Sequence, residues 1–232
     1  MGSWALGLLG TAAAVLFGVS GIAAQQQTPA GLSPFSQTKA EALLADKLPC
    51  LGCHAINSRG GRIGPDLSGV GARLDADAIR RQIEHPRGIM PRVMLPSPTL
   101  DLIVAYLSAQ RTPARAAAMP PPTRAVTDTG TRAGQLYQTH CAACHGARGK
   151  GDGPNAVNLD RPPARHADAR EMGKRTDDRL FDAIFAGGYI LGGSARMPAY
   201  GSTLSADDIR ALVGYIRELC RCRQPKWADA EG

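Results

Sequence analysis

Two five-residue motifs in this sequence place two thiols and an imidazole at a spacing suited to covalent attachment of a cofactor. The first motif runs from Cys50 to His54 (CLGCH) and the second from Cys141 to His145 (CAACH). Two cysteines on one helical turn can add to the two vinyl groups of a haem, and the adjacent histidine can ligate its iron. A single C-x-x-C could instead be a thioredoxin-like pair or half of a zinc site. Because each pair has its own histidine and its own downstream segment, the sequence predicts two c-type haem sites.

The same elements follow each motif in the same order, as expected for an internal repeat. A Gly-Pro step comes first, Gly64-Pro65 in one copy and Gly153-Pro154 in the other. A Met-Pro step comes later, Met90-Pro91 and Met197-Pro198, in loops rich in glycine and proline. A thioether in such a loop can reach a haem iron from the side opposite the histidine.

Helices are predicted between these motifs. Middle helices are expected over 75–84 and 177–186. One amphipathic final helix is expected to begin with Ser97 as its N-cap and Pro98 at the first helical position, and the other at the capping box Ser205-x-x-Asp208. Shorter opening helices are expected over 38–47 and 132–137. The predicted fold is therefore all-α, with apolar helix faces that cover a cofactor edge.

These residues resemble a dihaem cytochrome c made of two tandem class I cytochrome c domains, each wrapped around a covalent haem. The resemblance covers roughly residues 38–107 and 130–219 and is most specific in the second part. It implies two covalently bound haem c groups, proximal histidine ligands, distal methionine ligands and Gly-Pro carbonyls that orient the histidines. The motif positions assign each of these roles to residues of this sequence. The cysteines that would bind haem are Cys50, Cys53, Cys141 and Cys144. The axial ligands would be His54, Met90, His145 and Met197, and the prolines whose carbonyls orient the histidines would be Pro65 and Pro154.

The distal ligand of the first copy has an alternative in Met94, four residues after Met90. Met197 precedes Tyr215 by 18 residues, whereas Met90 precedes the equivalent Tyr106 by 16 and Met94 by only 12. The spacing favours Met90, with Met94 as an apolar cover. His85, five residues before Met90, could supply a nitrogen ligand instead, although a surface position is commoner for a histidine at a helix end. His140 and His166 are also interpreted as surface residues.

The ends and the middle of the chain have a different composition from the two copies. Residues 1–24 carry an uncharged run from residue 4 and end in small residues before three glutamines, which is typical of an export signal or of a membrane anchor. Residues 108–129 form a Pro/Ala-rich linker between a first domain over 25–107 and a second over 130–222, and a tail covers 223–232. We expect an exported, periplasmic protein, either free or anchored to the membrane.

Two cysteines remain outside the attachment motifs, Cys220 and Cys222. In an exported protein they should be oxidised. We expect a local disulfide at the end of the last helix; the alternatives are a link to a partner subunit and a redox-sensitive pair.

The composition of the chain and the predicted ligands of the haem iron limit the functions that this protein can have. The 232 residues carry a net charge of +7 without a dense basic and aromatic stripe, which argues against a nucleic-acid partner. Iron with two axial protein ligands has no free position for substrate, so we expect one-electron transfer rather than catalysis. The expected partners are redox proteins: a dehydrogenase, a quinol-oxidising complex or a terminal oxidase. The alternatives are a dihaem enzyme of the peroxidase or thiosulfate-oxidising type, with one exchangeable ligand, and a gas or redox sensor.

Overall fold

The computed structural model describes residues 31–112, called here the first half, and residues 130–229, called the second half, besides Met1. The expected export signal or anchor and most of the expected linker lie outside the described residues. The described residues from Leu32 onward belong to one compact unit. Within the described ranges, no helix combines the length and the apolar character needed to cross a membrane.

The first half is built from helices around one apolar cluster. Its elements are α1 (Pro34–Asp46), α2 (Cys50–Cys53), the strands β1 (Ala55–Ile56) and β2 (Arg59–Gly60), α3 (Ala76–Glu84) and α4 (Ser97–Ala109). The two strands pair antiparallel, and the turn between them places Asn57 and Ser58 at positive φ. Helix α4 packs on α1 and α3, so that Leu44, Ile79 and Ile103 share a buried core.

The second half has its own apolar cluster. Its helices are α5 (Arg132–His140), α6 (Ala142–His145), α7 (Ala169–Met172), α8 (Asp177–Ala186) and α9 (Ala206–Cys220). Helix α9 packs on both α5 and α8. Tyr137, Ile209 and Leu212 are fully buried where these helices meet.

Capping side chains determine where several helices begin. Asp75 accepts a hydrogen bond from Ala78 N at 2.7 Å at the start of α3, and Ser205 accepts one from Asp208 N at 3.1 Å at the start of α9. The predicted middle helices agree with α3 and α8 to within one residue. At α4 the prediction was wrong in detail, because Pro96 is the capping residue and Ser97 is already helical.

The two strands were not predicted, and they are only two residues long. The helical prediction is confirmed for the described residues, whereas the division into two tandem domains stays a prediction.

Candidate haem-binding sites

The first attachment motif forms the short helix α2 and the residue after it. Cys50 and Cys53 are the first and last residues of α2, and His54 follows in an extended conformation. The His54 Nδ1 atom lies 2.8 Å from the carbonyl oxygen of Pro65, which is the contact that the resemblance implies. A Cβ atom on Gly64 would come within 2.6 Å of the same Nδ1 atom, so this position has no room for a side chain beside the imidazole.

The second motif lies at the junction of α5 and α6. Cys141 caps α6, and Cys144 and His145 lie within it. The His145 Nδ1 atom lies 2.9 Å from the carbonyl oxygen of Ala164, not from that of Pro154. The expected role of Pro154 is therefore wrong.

The second Gly-Pro step contacts the attachment helix instead of the imidazole. Gly153 N donates to the carbonyl oxygen of Cys144 at 3.2 Å, and Asn155 N donates to that of Ala143 at 2.9 Å. These bonds hold the backbone around Pro154 against α6, and the Pro154 side chain is exposed. The chain then returns through Pro162 and Pro163, which brings the next carbonyl, that of Ala164, to the ring.

A cavity of about 540 Å³ lies in the second half. Its lining contains all four predicted attachment and ligand residues of this half, namely Cys141, Cys144, His145 and Met197. Most of the other lining side chains are apolar, among them Met172, Leu180 and Ile184. A volume of this size is typical of a cofactor site.

A buried arginine in the cavity lining supports the fit of a haem. Among the described residues, His140 Nδ1 and Arg196 Nε are buried without a hydrogen-bond partner. Arg196 lines the cavity, and its Nε atom is 3.6 Å from the nearest carboxylate oxygen of Asp160, which is beyond a good hydrogen bond. A carboxylate-bearing cofactor would satisfy this guanidinium, as haem propionates do. The residues present therefore fit haem c.

Burial keeps the thiols and imidazoles uncharged. It raises the pKa of Cys50 to about 11 and that of Cys141 to about 12, so that both thiols are protonated at neutral pH. Burial also raises the pKa of Cys53 to about 12, and the neighbouring Cys144 adds to the rise. The pKa of His145 is lowered by burial, which leaves its ring neutral for ligation.

His166 is a site residue that the sequence analysis placed wrongly on the surface. It is only 7% exposed, and its ring stacks on that of His145 with centroids 4.0 Å apart and an interplanar angle of 13°. Its Nδ1 atom lies 2.9 Å from the hydroxyl oxygen of Tyr137, which is fully buried. Burial lowers the pKa of His166 well below its ordinary value, so the ring is neutral. A histidine in a loop rich in proline and arginine gives no sequence signal for such a stack.

The two candidate methionines of the first half differ in exposure. Met90 is half-buried, and its Sδ atom lies 3.9 Å from Gln82 Nε2. Met94 is 73% exposed. Of the other histidines, His85 is exposed as expected, whereas His140 is half-buried with its ring against Tyr200. The assignment of Met90 as a ligand stays a prediction.

The remaining cysteines form the local disulfide. Cys220 and Cys222 are bonded to each other, with Cα atoms 5.2 Å apart, where α9 ends. Arg221 between them has φ of +50° and caps the helix in the left-handed region. These cysteines therefore contribute to the end of a helix and not to a haem site.

Three comparisons show which known proteins this chain is similar to. Residues 128–216 match the sequence model of the family described as cytochrome c oxidase, cbb3-type, subunit III. The chain is 26% identical over 193 residues to the cytochrome bc1 complex cytochrome c subunit of Mycobacterium leprae, an alignment that covers 76% of this chain and 60% of that relative. A solved chain of a reducing HAO-like protein complex from Kuenenia stuttgartiensis aligns with a TM-score of 0.33 and 22% identity, over 62% of this chain and 71% of that one.

The family match identifies a cytochrome c domain in the second half. Such a domain carries covalently bound haem c, which agrees with the contents of the cavity lining. The chain spans 60% of the length of its bc1-complex relative, with which it shares cytochrome c ancestry.

Proposed function

We propose that this protein is a dihaem c-type cytochrome that transfers single electrons between redox partners. The observation that carries the proposal is that His145 and Met197 line the same cavity as Cys141 and Cys144. His145 and Met197 would both bind the iron of a haem held at this site, and with both bound no position would be left for a substrate. A bound haem c supplies a one-electron iron couple, and the polypeptide sets its potential and its access to partners.

The chain's own residues hold and orient the ligands. The Ala164 carbonyl accepts from His145 Nδ1 at 2.9 Å, which fixes the tautomer so that Nε2 is free for iron. In the first half, the carbonyl oxygen of Pro65 accepts in the same way from His54 Nδ1, at 2.8 Å. The cavity lining combines apolar side chains with arginines such as Arg196, and positive charge beside a bound haem would favour its less charged, reduced state.

The number of cofactors follows from the repeat of the attachment motif. Cys50, Cys53 and His54 have the same order and the same kind of short helix as Cys141, Cys144 and His145, and a proximal carbonyl is present in both halves. We assign one haem c to each half, with Met90 as the distal ligand of the first.

We place the protein in an exported, periplasmic compartment, as a carrier or as the cytochrome subunit of a respiratory or dehydrogenase complex. Two features support this proposal: the Cys220–Cys222 disulfide, which is typical of oxidising compartments, and the uncharged segment near the N-terminus. The relative from a cytochrome bc1 complex supports membership of such an assembly. Partners of this kind use small interfaces that separate quickly.

The test uses holoprotein from a host with haem-maturation machinery. We expect intact mass and haem quantification to give two haems per chain, and the ferrous spectrum to stay unchanged under carbon monoxide. Met197→Ala should create one carbon monoxide site, whereas Met94→Ala, at an exposed side chain, should not. Carbon monoxide binding by the wild-type protein would contradict the electron-transfer proposal and favour the enzyme or sensor alternatives.

A further inference from the structure

The side chain of Asn155 joins the two haem-attachment segments. It belongs to the second half and is only 1% exposed, but its Nδ2 atom donates to the carbonyl oxygen of Gly52 at 2.7 Å. Its Oδ1 atom accepts from the backbone N–H of Arg62 at 3.0 Å. The same Nδ2 atom lies 3.4 Å from Cys144 Sγ. One buried amide thus contacts the backbone beside Cys53 and the sulfur of Cys144.

Gly52 meets the second half on another side. A Cβ atom built on Gly52 would overlap the carbonyl oxygen of Arg196 and would lie 3.2 Å from the Cα atom of that residue. The second motif has Ala143 at the equivalent position, so an alanine is compatible with the attachment helix itself. The glycine is needed because the backbone of the second half lies against this position.

The cavity of the second half also extends to this contact. Cys53 and Ile63 of the first half are among its lining residues, together with Cys144. The second attachment cysteine of each motif therefore lies at the junction.

Other hydrogen bonds between the halves lie at the surface. Lys47 Nζ donates to Tyr189 Oη at 2.8 Å, and Arg92 N donates to Thr203 Oγ1 at 3.1 Å, both in exposed positions. Water can replace such exposed partners at little cost in free energy. A buried donor or acceptor that loses its partner has no water to bond to instead. Asn155 is therefore the polar contact that most strongly determines the register of the two segments.

We propose that Asn155 and Gly52 form a latch that fixes the two attachment segments against each other, with Asn155 as the positioning residue for electron exchange between the two haems. This proposal rests on the proposed function, since it requires a haem in each half. With the two segments held in this way, electrons would pass between the two haems at the junction where Cys53 and Cys144 lie.

The first test compares Asn155→Leu with Gln138→Leu in holoprotein. Gln138 is a matched control, because its amide donates to the carbonyl oxygen of Ala147 at 3.0 Å within the second half alone. Loss of the buried amide should increase the equilibrium constant for opening of the junction about 10- to 100-fold. Hydrogen exchange at the Arg62 amide, which donates to Asn155, should accelerate by this factor. Exchange at the same rate as in the wild type would overturn the latch.

A second readout separates positioning from general stability. We expect Asn155→Leu to slow electron exchange between the haems after photoreduction and to weaken their magnetic interaction in paramagnetic resonance spectra. Gln138→Leu should leave both quantities unchanged even if it lowers the melting temperature. If both variants change them equally, Asn155 has only a structural role and the proposal fails.

Gly52→Ala gives a test from the opposite side of the junction, and it does not depend on the folding of the Asn155 variant. Its control is Gly214→Ala, at a helical position where a Cβ atom meets nothing within 4 Å. Gly52→Ala should retain its haem, because the second motif has alanine there, and should accelerate exchange at Arg62. Unchanged exchange at Arg62 would contradict the latch.

Haem quantification distinguishes failure of the latch from failure of the proposed function. Two haems per chain with unchanged exchange at Arg62 in both variants would refute the latch and leave the dihaem cytochrome intact. One haem per chain would refute both the dihaem proposal and the role of Asn155 in electron exchange.

Discussion

The pair formed by Tyr137 and His166 should behave as one buried polar unit, and a double-mutant cycle can measure its coupling. The hydroxyl oxygen lies 2.9 Å from Nδ1, Tyr137 is fully buried and His166 is 7% exposed. Tyr137→Phe leaves the imidazole nitrogen without its partner, and His166→Phe leaves the hydroxyl without its partner. Each single change should lower the free energy of unfolding by about 1–3 kcal/mol, since the remaining group keeps its desolvation cost.

The double variant removes both polar groups and should therefore be less destabilised than the sum of the single variants. We expect a coupling free energy of about 0.5–3 kcal/mol, as found for buried residues that share one hydrogen bond. Phenylalanine at 166 keeps an aromatic ring against His145, so the packing of the ligand changes little. The cycle thus isolates the hydrogen bond from the ring stack.

Guanidinium unfolding of the four holoproteins, followed by far-ultraviolet circular dichroism, measures these differences. The denaturant slope should be equal in all four, and the visible spectrum should show unchanged haem ligation. Strictly additive effects of the two substitutions would refute the view that the two groups satisfy each other. A change in ligation in His166→Phe alone would instead show that the ring stack controls His145.

Three further predictions concern the second half. The pKa of Asp208 is lowered to about 2, mainly because its carboxylate accepts a hydrogen bond from Arg132. The ionised carboxylate therefore stabilises the fold above its ordinary pKa near 4, and this stabilisation is lost as the pH falls towards 2. Asp208→Asn should lower the denaturation midpoint at pH 7 but not at pH 2, whereas the exposed Asp207→Asn should have little effect at either. The Cys220–Cys222 disulfide closes a very short loop, so its reduction should cost at most about 1.6 kcal/mol by denaturation. Arg217 donates to two backbone carbonyls and a carboxylate, so Arg217→Lys should cost about 2–3 kcal/mol in the same assay; no loss would contradict the assigned contacts.

The sequence predicted those parts of the fold that depend on local chemistry. Helix α8 agrees with its predicted range because an apolar repeat lies between the capping residue Thr176 and Gly187, which has φ of +85°. The contact between His54 and Pro65 was expected from the resemblance to class I cytochrome c domains, and it joins residues only 11 positions apart. In both cases the determining residues are close in sequence.

The parts that were missed depend on backbone groups or on distant partners. The acceptor for His145 is the carbonyl of Ala164, 19 residues along the chain, whereas the corresponding separation in the first half is 11. A carbonyl oxygen has no residue type, so its identity cannot be inferred from a motif when the loop length differs. Asn155 likewise bonds to backbone atoms of Gly52 and Arg62, up to 103 residues away, and nothing in the local pattern indicates this.

The difference between the two attachment motifs has a physical reason in the junction. If the two halves did not meet at this point, the third position of the motif could be alanine in both, as it is at Ala143. In the first half this position is Gly52, and the backbone of Arg196 leaves no room there for a Cβ atom. Asn155 bonds to the carbonyl of the same glycine. The two halves are therefore adapted to each other at Gly52, which lies between the attachment cysteines of the first half, and at Asn155, which contacts both Gly52 and Cys144. A change in these contacts would affect both attachment segments at once.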